Sequence, residues 1–151
     1  MKNRDDIILG IWDGHDAGAA LVAGEEVLFA VNEERLTRRK LEVGMPVRSI
    51  SCCLQEAGVS PEQVAAVAVS TTDPAKTLTR LVPSLKEEYY RIRRRKKDPG
   101  RLDPLKKHFK YRFTELAPNA FSGLLSRITV RRAISDTGLH RRPLVFYDHH
   151  E

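Results

Sequence analysis

Two short stretches of this 151-residue chain carry residue types able to do chemistry. The first is Asp13-Gly14-His15-Asp16, which interrupts an apolar segment and is followed by Ala17-Gly18. A histidine at so tight a corner is able to act as a general base or to orient a substrate. The neighbouring backbone N–H groups are placed to meet an oxyanion or a phosphate. The same residues also make an ordinary turn in which Asp13-Gly14 supplies the geometry, and local sequence alone favours that simpler reading. The second stretch is Asp148-His149-His150, which follows the apolar run from Pro143 to Tyr147. Imidazole and carboxylate are good ligands for zinc, iron or manganese, and a strand end holds them rigidly. Adjacent side chains on a strand point to opposite faces, so His149 and His150 cannot both serve one metal. One of them needs a partner elsewhere, and a histidine four residues on, at position 153, is the natural candidate. A merely polar strand end fits these residues equally well.

Charge is unevenly spread. Glu33-Glu34-Arg35-Leu36-Thr37-Arg38-Arg39-Lys40 places six charged residues in eight positions. A solvated strand end is the usual explanation of such a cluster, and Arg or Lys contacts to a phosphate or carboxylate are the functional one. The net charge of +6 belongs to residues 91–112, which hold 11 Lys/Arg against two Asp; the rest of the chain has 15 Lys/Arg against 18 Asp/Glu. Such a stretch is able to bind nucleic acid through its phosphates. Its few aromatics (Phe109, Tyr111 and Phe113 at its end) and its Asp98-Pro99-Gly100 and Asp103-Pro104 breaks favour an exposed, solvated insertion instead, so nucleic acid is not the expected partner.

The elements that would position these residues follow from periodicity. Ile7 to Trp12, Ala19 to Val22 and Val27 to Val31 read as three strands, with turns at the His-Asp corner and at Gly24-Glu25-Glu26. Connections this short join antiparallel neighbours, so the chain opens as a three-stranded meander. Val47, Ile50, Leu54 and Ala57 recur at helical spacing between Pro46 and Gly58. Ser60-Pro61-Glu62-Gln63 resembles a capping box, and Val64 to Ser70 reads as a strand covered on both faces. Strand, helix, strand makes a βαβ crossover that adds a parallel strand to the meander. Leu78, Leu81, Leu85, Tyr89 and Ile92 form a helical stripe bent or restarted at Pro83. Phe121, Leu124, Leu125 and Ile128 form another, ending near Gly138, before the Pro143–Tyr147 strand. The expected class is α/β.

At this length the chain is one domain's worth, with 41% hydrophobic residues. It has no apolar run of about 18 residues for a membrane span and no signal-peptide pattern at its start. Its only cysteines, the adjacent Cys52 and Cys53, lie in a predicted helix and argue against a disulfide framework. A cytoplasmic setting without membrane partners fits best. The chain ends just where the carboxyl edge of a sheet would be completed by following structure, so the N-terminal piece of a longer protein is expected.

Together the motifs resemble the NodU/CmcH-type carbamoyltransferases. That family opens with a strand and a His-Asp-x-Ser-Ala-Ala-Leu corner, here His15-Asp16-Ala17-Gly18-Ala19-Ala20-Leu21. A Glu-Glu-Arg-Phe-Thr-Arg-x-Lys signature follows, here residues 33–40, then a Phe-Pro, here Met45-Pro46. A strand ending Asp-His-His-x-Ala-His matches Asp148-His149-His150-Glu151 as far as the chain goes. The departures are Gly18 for Ser, which would cost one hydroxyl contact, and the apolar exchanges Leu36 and Met45. The resemblance implies a ribonuclease H-like fold of the actin/hexokinase type, incomplete at the C-terminus, with residues 1–151 forming the N-terminal part of a carbamoyl-transfer domain. It implies a second, C-terminal domain that makes carbamoyl-adenylate from carbamoyl phosphate and ATP. The carbamoyl group would then pass to a hydroxyl of a small acceptor such as an antibiotic or nodulation factor, near a divalent metal, iron foremost, with zinc or manganese as alternatives. His15 would activate the acceptor with support from Asp16, and His149, with Asp148 or His150, would bind the metal. Arg35, Arg38 and Lys40 are candidate anion contacts. A homo-oligomer is compatible with all of this. A metal-dependent phosphoesterase of the Asp-His-His class is an alternative, but its upstream His-x-x-x-Asp-x-Asp pattern is not met by residues 14–18. A basic nucleic-acid-binding module is the third reading.

Overall fold

A computed structural model describes residues 7–85, 87 and 117–147. The basic stretch 91–112, Tyr89, Ile92, and Asp148, His149, His150 and Glu151 lie outside the described residues. The chain divides into two compact units: residues up to Ser70 together with those from Val130 onward, and Thr71–Thr129.

The first unit is built on a five-stranded sheet of order β3-β2-β1-β4-β5, a mixed α/β arrangement. β1 (Ile7–Trp12), β2 (Gly18–Ala23) and β3 (Glu26–Asn32) run antiparallel in sequence, with Leu9 opposite Leu21 and Leu21 opposite Phe29. The short helix α1 (Glu33–Thr37) and the helix α2 (Val47–Glu56) then carry the chain across, and β4 (Val64–Ser70) returns parallel to β1. β5 (Leu144–Tyr147) joins β4 in parallel. The geometry dictates this: tight turns suffice between antiparallel neighbours, while a parallel neighbour needs a crossover.

One face of the sheet is dry. Ile7, Leu9 and Ile11 of β1 are buried while Ile8 is 41% exposed, the alternation of a half-buried strand. They pack with Leu21, with Ile50, Cys53 and Leu54 of α2, with Val67 and Val69, and with Val130, Ile134, Leu139 and Leu144. The continuous apolar run of β4 is therefore not covered on both faces. Ala65 is exposed and Ala66 and Ala68 are half-buried, because its valines alone face the core. Ser60 and Gln63 meet as their types predict, the Gln63 side-chain Oε1 accepting the Ser60 N–H at 2.8 Å. This turn also holds the Glu62 carboxyl below its ordinary range, chiefly through the Glu62 N–H and then the Ser60 hydroxyl.

The second unit corrects the predicted helical stripes. Its described residues include the helices α3 (Pro74–Leu81), opened by the Asp73 carboxylate accepting the Lys76 N–H at 2.6 Å, and α4 (Ala120–Ala133), whose last turn belongs to the first unit. Helical backbone resumes at Pro83, as a proline in a helical pattern requires. Leu78, Leu81 and Leu85 are exposed, and Phe121, Leu124 and Ile128 are 71%, 57% and 53% exposed. The buried face of α4 is instead Ser122, Ser126 and Val130, at strict i, i+4 spacing. The hydroxyls go inside because they are satisfied there. Thr77 Oγ1 lies 2.8 Å from Ser126 Oγ and donates to the Ser122 carbonyl, and Arg80 donates to Ser126 Oγ at 2.9 Å. A buried hydroxyl with partners costs little, so apolarity was the wrong guide to the inner face. No helix among the described residues is long and apolar enough to cross a membrane.

A buried carboxylate holds the start of α2 in the first unit. Pro46 opens α2 without a side-chain cap, and Glu33 supplies the missing acceptors from fifteen residues upstream. Its carboxylate accepts the Arg48 N–H at 3.2 Å, the Ser49 N–H at 2.8 Å and the Ser49 hydroxyl at 2.7 Å. A carboxylate at a helix N-terminus answers both the orphan N–H groups and the helix dipole. The fully buried Cys53 lies against the Ala19 carbonyl, and burial first, then the neighbouring Cys52, pushes its thiol up to about 11.

Replacing Glu33 by Ala is expected to destabilise the chain by about 2 kcal/mol, since two N–H groups and a hydroxyl lose their buried acceptor. Glu33→Gln should lose less, and urea unfolding at constant slope measures both. For Cys53 the folded pKa lies above the ordinary value of 9.0. Its contribution is therefore complete below pH 9 and lost as pH rises towards 11. Urea midpoints across that window should fall more steeply for the native chain than for Cys53→Ala.

Candidate active site

β1 and β4 end side by side at Trp12 and Ser70, β5 ends beside β4, and β2 begins opposite Trp12 at Gly18. This carboxyl edge is where ligands bind in open α/β sheets. An open cavity of about 770 Å³ lies there, and the described residues that line it all belong to the first unit. Its floor is a row of small residues in direct register, Ala30, Ala20, Gly10 and Ala68. Trp12, Asp16, Arg35, Ser70 and Tyr147 also line it.

The corner at residues 13–17 is held on every side. Asp13 is fully buried and accepts the Ser70 hydroxyl at 2.8 Å, tying the ends of β1 and β4 together. The Trp12 indole N–H donates to the His15 carbonyl. Its ring lies so close to Gly14 that a Cβ there would sit 2.1 Å from it, which admits only glycine. Asp16 takes a left-handed φ of 53°. Ala17 is buried, its N–H donating to Glu42 O at 3.0 Å and its carbonyl accepting the Glu33 N–H at 2.7 Å. His15 forms an isolated antiparallel bridge with Val43. His15 and Asp16 are left exposed at the tip.

At Gly18 a Cβ would stand 2.9 Å from the Val31 carbonyl oxygen and 3.0 Å from Asn32 Oδ1. This position has no room for the serine whose hydroxyl the motif comparison counted as lost.

The charged segment 33–40 is more than a solvated strand end, because its two carboxylates are engaged inside the fold. Glu33 is buried against α2, and Glu34 Oε2 accepts the Leu41 N–H at 3.0 Å. Arg39 Nε pairs with Glu42 Oε2 at 3.3 Å. Of the three cationic candidates, Arg35 lines the cavity together with Asp16. Arg38, at φ 58°, closes α1 by donating its N–H to Glu34 O, and it and Lys40 are exposed outside the cavity lining. Sequence reading took Asp13 as a turn residue only and gave Ser70 and Glu42 no part in the site. Asp13 and Ser70 are 57 residues apart, and nothing local distinguishes a buried Asp-Gly from an exposed one.

Among the described residues no three His, Cys, Asp or Glu side chains are grouped to hold a metal. The described part of this site does not by itself fit a metal.

Comparison with known proteins bears directly on this edge. The family described as "Carbamoyltransferase N-terminus" matches residues 7–151. The uncharacterized protein MJ1051 of Methanocaldococcus jannaschii is 43% identical over 63 residues, 42% of this chain and 12% of that protein. The uncharacterized protein sll1178 of Synechocystis is 46% identical over 50 residues, 33% of this chain and 8% of that protein. Nodulation protein NolNO of Sinorhizobium fredii is 42% identical over 59 residues, 39% of this chain and 9% of that protein. The similarity thus spans 12% or less of each of these relatives. A match that begins with β1 and continues to Glu151 takes in the whole sheet and its corner: the chain belongs to the carbamoyltransferase N-terminal family.

Proposed function

We propose that this chain is the N-terminal part of an O-carbamoyltransferase whose transfer centre is the His15–Asp16 corner. The observation that carries the reading is the placement of that corner at the carboxyl edge of a sheet that the family match spans from its first strand. The strand order and directions support a ribonuclease H-like fold of the actin/hexokinase type. In the full-length protein a C-terminal domain makes carbamoyl-adenylate from carbamoyl phosphate and ATP. The acceptor is a hydroxyl of a small metabolite.

In the transfer step His15 takes the hydroxyl proton as the oxygen attacks the carbamoyl carbon. A new C–O bond forms, the bond from that carbon to the phosphate oxygen breaks, and AMP leaves. An alcohol is a poor nucleophile until a base takes its proton, so this is the role the exposed imidazole fills. Asp16, beside it in a strained left-handed conformation, supports the imidazolium that forms. Arg35 faces the same cavity and supplies a fork for the leaving phosphate. A divalent metal, iron foremost, belongs to His149 with Asp148 or His150 in this proposal.

His15→Ala in the full-length protein should lower carbamoyl transfer by about 10²–10⁴-fold. It should leave carbamoyl-phosphate-dependent release of pyrophosphate from ATP intact, because that step belongs to the other domain. Transfer at the native rate would contradict the role of His15. Arg35→Ala should lower the rate of carbamoyl transfer by about tenfold, the loss of one charge-assisted hydrogen bond to the leaving phosphate, and leave pyrophosphate release intact. Initial-rate kinetics with the same acceptor measures both variants.

A further inference from the structure

The segment that follows α1 holds a conformation that residues of its types rarely adopt. Arg38 and Leu41 both sit at φ 58°, in the left-handed region, and Gly44 follows at 113°. Backbone of this kind persists only where the surroundings over-determine it. Here they do. Thr37 Oγ1 faces both the Glu33 carbonyl at 3.0 Å and Glu42 Oε2 at 3.1 Å. Arg39 Nε meets the same Glu42 oxygen at 3.3 Å, Thr37 Oγ1 accepts the Arg39 N–H at 3.3 Å, and Glu34 Oε2 takes the Leu41 N–H. The Glu42 side chain is 13% exposed although it carries a charge.

The output of this small framework is narrow. Glu42 O receives the Ala17 N–H, Val43 bridges to His15, and Glu33 N–H binds Ala17 O. These contacts land on either side of Asp16. We propose that Glu42 is a positioning residue for the His15–Asp16 corner: Thr37 and Arg39 lock its carboxylate, and its carbonyl then sets the height and direction of the corner through Ala17. This rests on the reading of that corner as the transfer site. It gives the Glu-Glu-Arg-Leu-Thr-Arg run a task at the site other than anion binding. Thr37 and Arg39 act on the chemistry through Glu42, and Glu34 through Leu41.

The test uses Glu42→Ala and Glu42→Gln, with Thr37→Val as an independent way to release the same carboxylate. Amide hydrogen exchange at Ala17 is measured in this chain, and transfer kinetics in the full-length protein, beside His15→Ala. Glu42→Ala should speed exchange at Ala17 at least about tenfold and lower kcat for transfer by about tenfold or more, with KM for the acceptor unchanged. Glu42→Gln, which keeps an acceptor for Thr37, should restore most of both. Thr37→Val should reproduce the Ala17 effect in a milder form. The proposal is overturned if His15→Ala abolishes transfer while Glu42→Ala and Thr37→Val leave Ala17 exchange and kcat at native values. If His15→Ala itself leaves transfer intact, the transfer-site reading falls, and the positioning role falls with it.

Discussion

The structure of the first unit depends on one buried carboxylate. Glu33 stands where β3 passes into α1, and its side chain caps the start of α2. Its own N–H fastens the Ala17 carbonyl. A single residue therefore couples the crossover helix that covers the sheet to the corner that the sheet presents. Placing an anion in a dry interior is costly unless hydrogen bonds replace its water. Three donors do so here, and a helix N-terminus adds a favourable dipole. Removing the carboxylate would strand those donors, which is why a charged residue belongs in this core.

The second constraint is space. Gly10, Ala20, Ala30 and Ala68 make a floor with almost no side chain, and Gly14 and Gly18 admit no Cβ at all against Trp12 and Val31. Backbone comes close to backbone at the corner, and the indole of Trp12 fills what remains. The Asp13–Ser70 hydrogen bond draws the ends of β1 and β4 together beneath it. The result is a rigid sheet edge with a histidine and an aspartate raised on it, beside a cavity that also holds an arginine. Precision at a reacting centre requires support of this kind, since small displacements of a catalytic group cost rate steeply.

Much of this was legible in the sequence because strand periodicity and turn length are local. The three opening strands, the crossover through residues 47–56, and the strands at 64–70 and 144–147 follow from runs of Ile, Leu and Val and from short turns. What failed did so where hydrogen bonding overruled apolarity. Ser122 and Ser126 point inward with Thr77 and Arg80, while Phe121, Leu124 and Ile128 face out, and no periodicity distinguishes two stripes on one helix. Ala68 of β4 looks like core but floors a cavity. At the site, His15, Asp16 and Arg35 were visible as types, whereas Asp13, Ser70 and Glu42 matter through partners far away in sequence. The run from Glu33 to Lys40 is the clearest case. Its composition suggests a solvated patch, and its folded role is a clamp in which each carboxylate has a defined donor.

The most direct test of the central claim is a crystal structure of the full-length protein with a non-transferable carbamoyl-adenylate analogue. The account predicts the carbamoyl carbon at the carboxyl edge of β1, with His15 Nδ1 or Nε2 able to reach, within about 3 Å, an acceptor oxygen poised to attack it. An analogue bound with its carbamoyl group away from this corner, and His15 facing solvent, would contradict it.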